Sequence, residues 1–462
     1  MLVEARIKRA QAGDKIILKD AMMYLEEGER ILVVGPSGGG KTSLLLTVTG
    51  IASSLLSWSV EGESMINGVN ALADFSRIPG MVGVVLQDPD RQLAMPTPLD
   101  EVLFTLENLG YPRDEACKKA LKALEDFGLR GLEDKLVEDL SGGQKRRLTL
   151  AASIVHDPLV MFLDEPTASV DPWGIREVRR FAGSRYGLVI IEHKARYFLD
   201  IVDRILLVTG GTTRINIPVE EVDDNTLEML ESIGVDASSP EPSRLSENVG
   251  GTVLEANNVT VSYPDGTTPI RDASLEVRSG ELVVLVGPNG SGKTSLLRAL
   301  SGALKYEGEV KARDGVFLVP QNPDYMFLHP SVKAELDDVR ARTGIDPVEA
   351  MGGEPPWLGR VLRLNPARLS HGQRRWLAVA IAMAYRPGVL LMDEPTTGLD
   401  KSLLDHLVDA VKRVLSSGRG VLASTHDPRL VASADRAYMV DGGRVREVDP
   451  DDALRVLDEA WR

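Results

Sequence analysis

Two segments of this chain read G-x-x-x-x-G-K-[ST], and no other feature constrains its fold as strongly. The first is Gly35-Pro36-Ser37-Gly38-Gly39-Gly40-Lys41-Thr42; the second is Gly287-Pro288-Asn289-Gly290-Ser291-Gly292-Lys293-Thr294. Each follows a short apolar run, residues 31–34 and 282–286, that reads as a strand. Glycines in such a loop let backbone N–H groups close around phosphate oxygens at the positive end of the next helix. Gly35, Ser37, Gly38 and Gly40, with Gly287, Asn289, Gly290 and Gly292, are therefore candidate phosphate-cradling residues. Lys41 and Lys293 would reach the terminal phosphates, and Thr42 and Thr294 would hold Mg2+. One such octapeptide arises by chance. Two, each behind a strand and each followed by matching motifs, point to a chain that hydrolyses ATP to move something else.

The matching motifs define an internal repeat. Lys41 pairs with Lys293, Gln87 with Gln321, Ser141 with Ser370, Asp164 with Asp393 and His193 with His426, at offsets of 252, 234, 229, 229 and 233 residues. The offset shrinks after the first pair because the first half carries extra residues around 53–76. Two similar halves follow: residues 1–210 as a first nucleotide-binding domain and 251–462 as a second. Residues 211–250 read as a linker, acidic at 220–224 and Pro/Ser-rich at 238–243. Within each half, strand runs alternate with helical stretches, which implies an α/β fold with a mostly parallel sheet and its ligand at the strands' carboxyl ends. Residues 99–140 and 332–369 look helical and lack strand signals, so helical subdomains are expected there.

At 462 residues, with 43% hydrophobic content, each half can bury its own core. No apolar run is long enough to cross a bilayer and no signal peptide is visible, so a cytosolic chain is expected unless a partner holds it at a membrane. Cys117 is the only cysteine, which excludes an internal disulfide and cysteine-based clusters. A formal net charge of −15 argues against a protein whose main task is gripping nucleic acid. The basic runs Lys145-Arg146-Arg147 and Arg374-Arg375 read as a solvated or phosphate-side helix face.

Asp164 and Asp393 end apolar strands, where a carboxylate can hold Mg2+ through water. Glu165 and Glu394 come next, placed to polarise the attacking water. An acidic strand end can instead cap the next helix, but the segment Asp-Glu-Pro-Thr occurs twice. His193 and His426 each follow a further strand run and could donate a hydrogen bond to the γ-phosphate. Of six histidines, only these two fall at matching places.

Leu140-Ser141-Gly142-Gly143-Gln144, standing upstream of Asp164, resembles the signature of ABC-type ATPases. With the P-loops, Gln87, Gln321, Ala168-Ser169-Val170-Asp171 and Thr397-Gly398-Leu399-Asp400, the resemblance covers nearly the whole chain. It implies two P-loop domains, each with an antiparallel β portion near its start and a helical subdomain. They would pair head to tail, with ATP and Mg2+ between one domain's P-loop and the other's signature. Ser141 and Gly143 would then contact the ATP held by Lys293, and Ser370 and Gly372 the ATP held by Lys41. Gln87 and Gln321 would join Thr42, Thr294, Asp164 and Asp393 around the metal, and Tyr263 would stack on adenine.

Two departures fall on one composite site. His371 stands where the signature usually has glycine, and residues 10–13 of the first half have no aromatic to match Tyr263. The Lys41–Ser370 site is therefore expected to bind or turn over ATP less well, unless both departures are neutral. Gln87-Asp88-Pro89-Asp90-Arg91-Gln92-Leu93, then Pro96-Thr97 and Glu107-Asn108-Leu109-Gly110, is similar to the ATPases of energy-coupling-factor (ECF) importers. That resemblance implies a T-type membrane scaffold and a substrate-binding S component as partners, at the cytoplasmic face of the membrane, with vitamins or transition-metal ions as cargo. The competing reading is a soluble twin ATPase acting on ribosomes or DNA. That class leads one to expect cysteine clusters, a long charged linker or a basic surface.

Overall fold

The computed structural model describes residues 1–462 apart from Ser169, residues 183–185, Glu247 and Asp400, and apart from the side chains at 181, 182, 401 and 402. Ser169 and Asp400, both within motifs read from the sequence, lie outside the described residues. The chain forms two compact units. The first comprises Met1–Val170 and Gly174–Ser238, the second Asp171–Trp173 and Ser239–Arg462.

The strands of the first unit are β1 (Val3–Ala12), β2 (Lys15–Leu25), β3 (Arg30–Val34), β4 (Ser59–Ile66), β5 (Val69–Asn70), β6 (Val82–Val85), β7 (Val160–Asp164), β8 (Gly187–Ile191), β9 (Arg204–Thr209) and β10 (Thr212–Pro218). Strands β2-β1-β4-β5 form an antiparallel sheet. Along β1, Val3, Ala5 and Ile7 are buried while Arg6 and Lys8 are exposed, the alternation of a strand with one wet face. The second sheet runs β10-β9-β3-β8-β7-β6, parallel except for β10. All residues of β7 and β8 are buried, as expected for parallel strands covered on both faces. This order sets the carboxyl ends of β3, β8 and β7 side by side. The P-loop, His193 and the Asp164-Glu165 pair therefore share one edge, although 152 residues separate Lys41 from His193. The unit's helices include α1 (Lys41–Val48), α2 (Gly142–Ile154) and α3 (Asp224–Ser232).

The second unit repeats the plan. Its strands are β11 (Thr252–Val261), β12 (Ile270–Arg278), β13 (Leu282–Val286), β14 (Glu307–Ala312), β15 (Val316–Val319), β16 (Val389–Asp393), β17 (Gly420–Ser424), β18 (Arg436–Asp441) and β19 (Arg444–Val448). Sheet order β15-β16-β17-β13-β18-β19 matches the first unit strand for strand, beside a smaller antiparallel sheet β12-β11-β14. Helices α4 (Lys293–Leu300) and α5 (His371–Ala384) stand where α1 and α2 do. Helices Pro98–Asn108 and Arg113–Asp126, and in the second unit Val332–Thr343, Pro347–Ala350 and Leu358–Val361, form the expected helical inserts.

The span expected as a linker is corrected by the structure. Residues 212–218 are β10, paired antiparallel with β9. The acidic stretch at 220–224 starts a helix, because the Asp223 side chain accepts the Thr226 N–H and caps α3, whose Leu230 is buried. The first unit thus runs to Ser238. In the Pro/Ser segment, the Ser243 and Leu245 N–H groups donate to the Ala432 and Ser433 carbonyls at 2.8 and 3.2 Å, which ties it to the second unit.

Candidate functional site

In the first unit the P-loop bridges β3 and α1. Gly35, Gly38 and Gly40 have φ of 149°, 72° and 105°, a region that side chains other than hydrogen adopt at a cost. A Cβ on Gly35 would lie 2.0 Å from the Val208 carbonyl oxygen, so only glycine fits against β9; one on Gly38 would meet nothing within 4 Å. The loop is thus packed on one side and open on the other, the form of an anion cradle. Lys41, 5% exposed, donates to the Gly35 and Pro36 carbonyls at 2.8 and 3.1 Å. Thr42 Oγ1 donates to Asp164 Oδ1 at 3.1 Å. Burial is the main reason that the Asp164 carboxyl is pushed up to about 6.

Glu165 stands at φ 45°, turning sharply off β7. Its Oε2 accepts from Gln87 Nε2 at 2.6 Å, and its Oε1 is 3.8 Å from His193 Nδ1. Burial pulls the Glu165 carboxyl upward, but the His193 hydrogen bond and the charges of His193, Lys41 and Lys194 prevail and hold it below its usual range. For His193 the balance is opposite in sign: burial lowers it, while Glu165 and Glu192 outweigh that and raise it. Glu192 is fully buried. Its Oε1 accepts the His193 and Lys194 N–H groups at 3.0 and 3.2 Å and lies 3.4 Å from His193 Nδ1, while its Oε2 accepts from the Thr167 hydroxyl. The sequence reading missed this residue. The signal available was a carboxylate at the end of an apolar strand, where the second half has Thr425.

The second unit builds the same skeleton. Lys293 donates to Gly287 and Pro288 carbonyls at 2.7 and 3.0 Å, and burial lowers its pKa. Gly287, Gly290 and Gly292 repeat the positive φ, at 147°, 79° and 108°. Thr294 Oγ1 donates to Asp393 at 2.9 and 3.1 Å, and Ser424 Oγ donates to Asp393 Oδ1 at 2.7 Å. Burial again raises the Asp393 carboxyl. His426 Nε2 is 3.0 Å from Glu394 Oε1 and 3.2 Å from Asn289 Oδ1. Burial pulls Glu394 upward, yet His426 and Lys293 hold it below its usual range. Within this unit Asp171 Oδ2 accepts the Asn289 N–H at 2.6 Å, and Trp173 stands edge-on to His426, ring centroids 6.3 Å apart. Among the described residues no hydrogen bond joins Gln321 to Glu394. Gln321 instead lines a cavity of about 430 Å3 with Asp393, Arg298, Asp324, His371 and Arg374. The Tyr263 hydroxyl is 3.0 Å from Ser295 Oγ, one turn into α4, which sets its ring at the P-loop helix.

Both signatures start their helices in the same way. Ser141 and Ser370 are N-caps in full capping boxes with Gln144 and Gln373. Gly143 lies exposed in the first turn of α2, while a Cβ on Gly372 would meet Leu403 Cδ1 at 2.3 Å. The basic runs are not simply solvated faces. Lys145 pairs with Asp90 and Arg374 with Asp324, at 2.6 and 2.7 Å, pinning the segment after each glutamine to its signature helix. Arg375 is 1% exposed, held by backbone carbonyls that a short basic run does not reveal.

Thr42, Gln87 and Asp164, and Thr294, Gln321 and Asp393, supply hydroxyl, amide and carboxylate oxygens. This hard-donor set suits Mg2+, whose remaining positions water and phosphate fill. No group of three or more His, Cys, Asp or Glu side chains able to hold a metal exists among the described residues.

Comparison with known proteins agrees with this geometry. The family model described as ABC transporter matches residues 18–168 and 270–397. A Sulfurisphaera tokodaii protein provisionally named an ABC transporter ATP-binding protein is 32% identical, covering 94% of each chain. A Bacillus subtilis protein provisionally named an HMP/thiamine import ATP-binding protein is 30% identical, over 93% of this chain and 87% of its own. Among solved structures, the archaeal ribosome recycling factor in complex with a ribosomal stalk protein superposes with a TM-score of 0.70 over 99% of this chain and 92% of its own. At 17% identity this likeness speaks for the fold alone.

Proposed function

Because the chain belongs to the ABC transporter family and its domains are ATPases that bind ATP with Mg2+, we propose that it energises a membrane importer of the ECF type. The observation that carries this reading is the segment after each glutamine. Asp90–Lys145 and Asp324–Arg374 fasten it to the signature helix, and in the second unit, where the sequence from Tyr325 departs from the importer pattern, Tyr325 and Leu328 stand 75% and 78% exposed beside it. A partner helix seated there would act on the glutamine and the signature together. The relative named for HMP/thiamine import supports the importer class, and vitamins or transition-metal ions are the cargo proposed. No described helix is long and apolar enough to cross a membrane, so translocation would fall to partner subunits, a T-type scaffold and a substrate-binding S component, at the cytoplasmic face.

In the mechanism proposed, Lys41 and Lys293 exchange their loop carbonyls for the terminal phosphates of ATP. Thr42, Gln87 and Asp164, with their counterparts, would hold Mg2+, which neutralises charge on the phosphates. Glu165 and Glu394, kept ionised by the neighbouring histidine and lysine, orient and polarise the attacking water. His193 and His426 present a ring nitrogen toward the γ-phosphate. By the family resemblance the halves would pair head to tail, with Ser141 and Gly143 completing the Lys293 site and Ser370 and Gly372 the Lys41 site. Closure on ATP and release of phosphate drive the partner.

The test is gentle detergent extraction of source membranes, capture on this chain, and mass spectrometry of what accompanies it. A multi-helix scaffold with a small membrane protein supports the reading. Recovery with ribosomes or DNA-repair proteins and no membrane partner would overturn it.

A further inference from the structure

Arg146 in α2 and Arg375 in α5 occupy equivalent places, 229 residues apart, yet they are tied to different loops. Arg146 donates to the Pro166 and Ala168 carbonyls, the latter at 2.8 Å, in the loop behind Glu165. Arg375 donates to the Pro320 and Gln321 carbonyls at 2.8 and 2.6 Å, just past β15. The loop behind Glu394 is met by another side chain. His371, the first residue of α5, turns its ring toward that loop and packs over Gly398, one residue past Thr397, the counterpart of Ala168. A Cβ placed on Gly398 would lie 2.6 Å from the ring's Cδ2, and Gly398 has φ of 71°. In the first half the residue types are exchanged. Glycine stands on the helix at Gly142, where a Cβ would meet nothing within 4 Å, and serine stands in the loop sequence at Ser169.

We propose that His371 is a positioning residue for Glu394: its ring fills the space left by Gly398 and so braces by packing the loop that Arg146 holds by hydrogen bonds in the first unit, which leaves Arg375 to hold the backbone of Gln321. The α5 helix then grips the second site at two points, behind the carboxylate that polarises water and at the glutamine that would hold the metal. Glu394 itself sits at φ 47°, with its N–H donating to the Ser424 carbonyl and hydroxyl at 3.1 and 3.0 Å. A strained residue of this kind keeps its geometry only if both flanks are held. The Ser424 contacts hold one flank and His371 the other. The ring, turned inward, is not an obstacle on the exposed start of the helix.

The experiment is a double-mutant cycle on the full chain: His371→Gly, Gly398→Ser and the two together, each measured for kcat and KM of ATP hydrolysis and for Tm. Gly398→Ser, which drives a side chain into the ring, should lower kcat roughly tenfold or more with KM changed by less than about twofold. Adding His371→Gly recreates the residue pairing of the first half and should recover most of that loss. His371→Phe keeps a ring over Gly398 and should retain more activity than His371→Gly. Losses that simply multiply in the double variant, or a lowered Tm with kcat and KM both intact, overturn the proposal. The inference rests on ATP hydrolysis by this chain, so its failure leaves the importer reading untouched.

Discussion

Asp164 should stabilise the reaction at the expense of the resting fold. Its carboxyl is 3% exposed, and burial chiefly pushes its pKa up to about 6, against the Thr42 hydrogen bond. In the unfolded chain an aspartate titrates near 3.9. Between about pH 4 and pH 6 the folded protein therefore binds more protons than the unfolded chain, and stability falls as pH rises through that window. A shift of roughly two units corresponds to about 3 kcal/mol, fully expressed above pH 7 and about half expressed at pH 5. Asp164→Asn removes the charge and keeps an oxygen to accept from Thr42 Oγ1. Without nucleotide or Mg2+, the variant should be more stable than wild type by about 2–3 kcal/mol at pH 7.5, with the gap narrowing as pH is lowered to 5. Hydrolysis should fall about 10–100-fold, because the metal loses a partner that orients its shell. Calorimetry at several pH values, resolving the transition of the first unit, and a steady-state ATPase assay measure both effects. Equal stability at pH 7.5, or a gap that does not change with pH, would refute the reasoning.

The remaining expectations concern the same machinery. Glu165→Gln and Glu394→Gln should each reduce turnover at their own site about 10²–10⁴-fold. If the Lys41 site is the weaker one, Glu394→Gln costs the whole chain more; equal losses count against that asymmetry. Arg375→Met takes from the Pro320 and Gln321 carbonyls the donor that holds them, at a cost of about 1–3 kcal/mol, and should lower the melting of the second unit by roughly 3–10 °C. Arg146→Met, at a half-buried place, should cost less, and calorimetry of the two variants side by side decides the point. Chelation of Mg2+ should abolish hydrolysis and remove most of the thermal stabilisation by ATP; a rate that survives chelation would contradict the metal set assigned to Thr42, Gln87 and Asp164.

The placement of the candidate site residues was legible in the sequence because each sits at the end of an apolar strand. Parallel pairing then brings those ends to one edge whatever their separation along the chain, so Lys41, Asp164 and His193 needed no contact information to be grouped. What was not legible depends on side-chain direction. An acidic stretch reads as linker unless one knows that Asp223 caps α3. A basic run reads as solvent-facing unless one knows which residue meets the carbonyls after β15, and Arg375 does. His371 reads as a departure from the signature, because the glycine that makes room for its ring lies 27 residues further on, at Gly398.

The two units share a skeleton but engage the carboxylate proposed to polarise water in different ways. Glu165 accepts from Gln87 at 2.6 Å while His193, drawn toward buried Glu192 at 3.4 Å, stays 3.8 Å away. Glu394 has His426 at 3.0 Å instead. A glutamine amide that donates through Nε2 keeps Oε1 free, so Gln87 can serve a cation and Glu165 at once, and any pull on the segment after Gln87 reaches the carboxylate directly. In the second unit that pull is shared with α5, because Arg375 holds the Gln321 backbone. A partner pressing on both segments would therefore alter the proposed water-polarising group itself at the first site and the frame around it at the second. Two equal sets of catalytic residues can in this way answer one mechanical signal unequally.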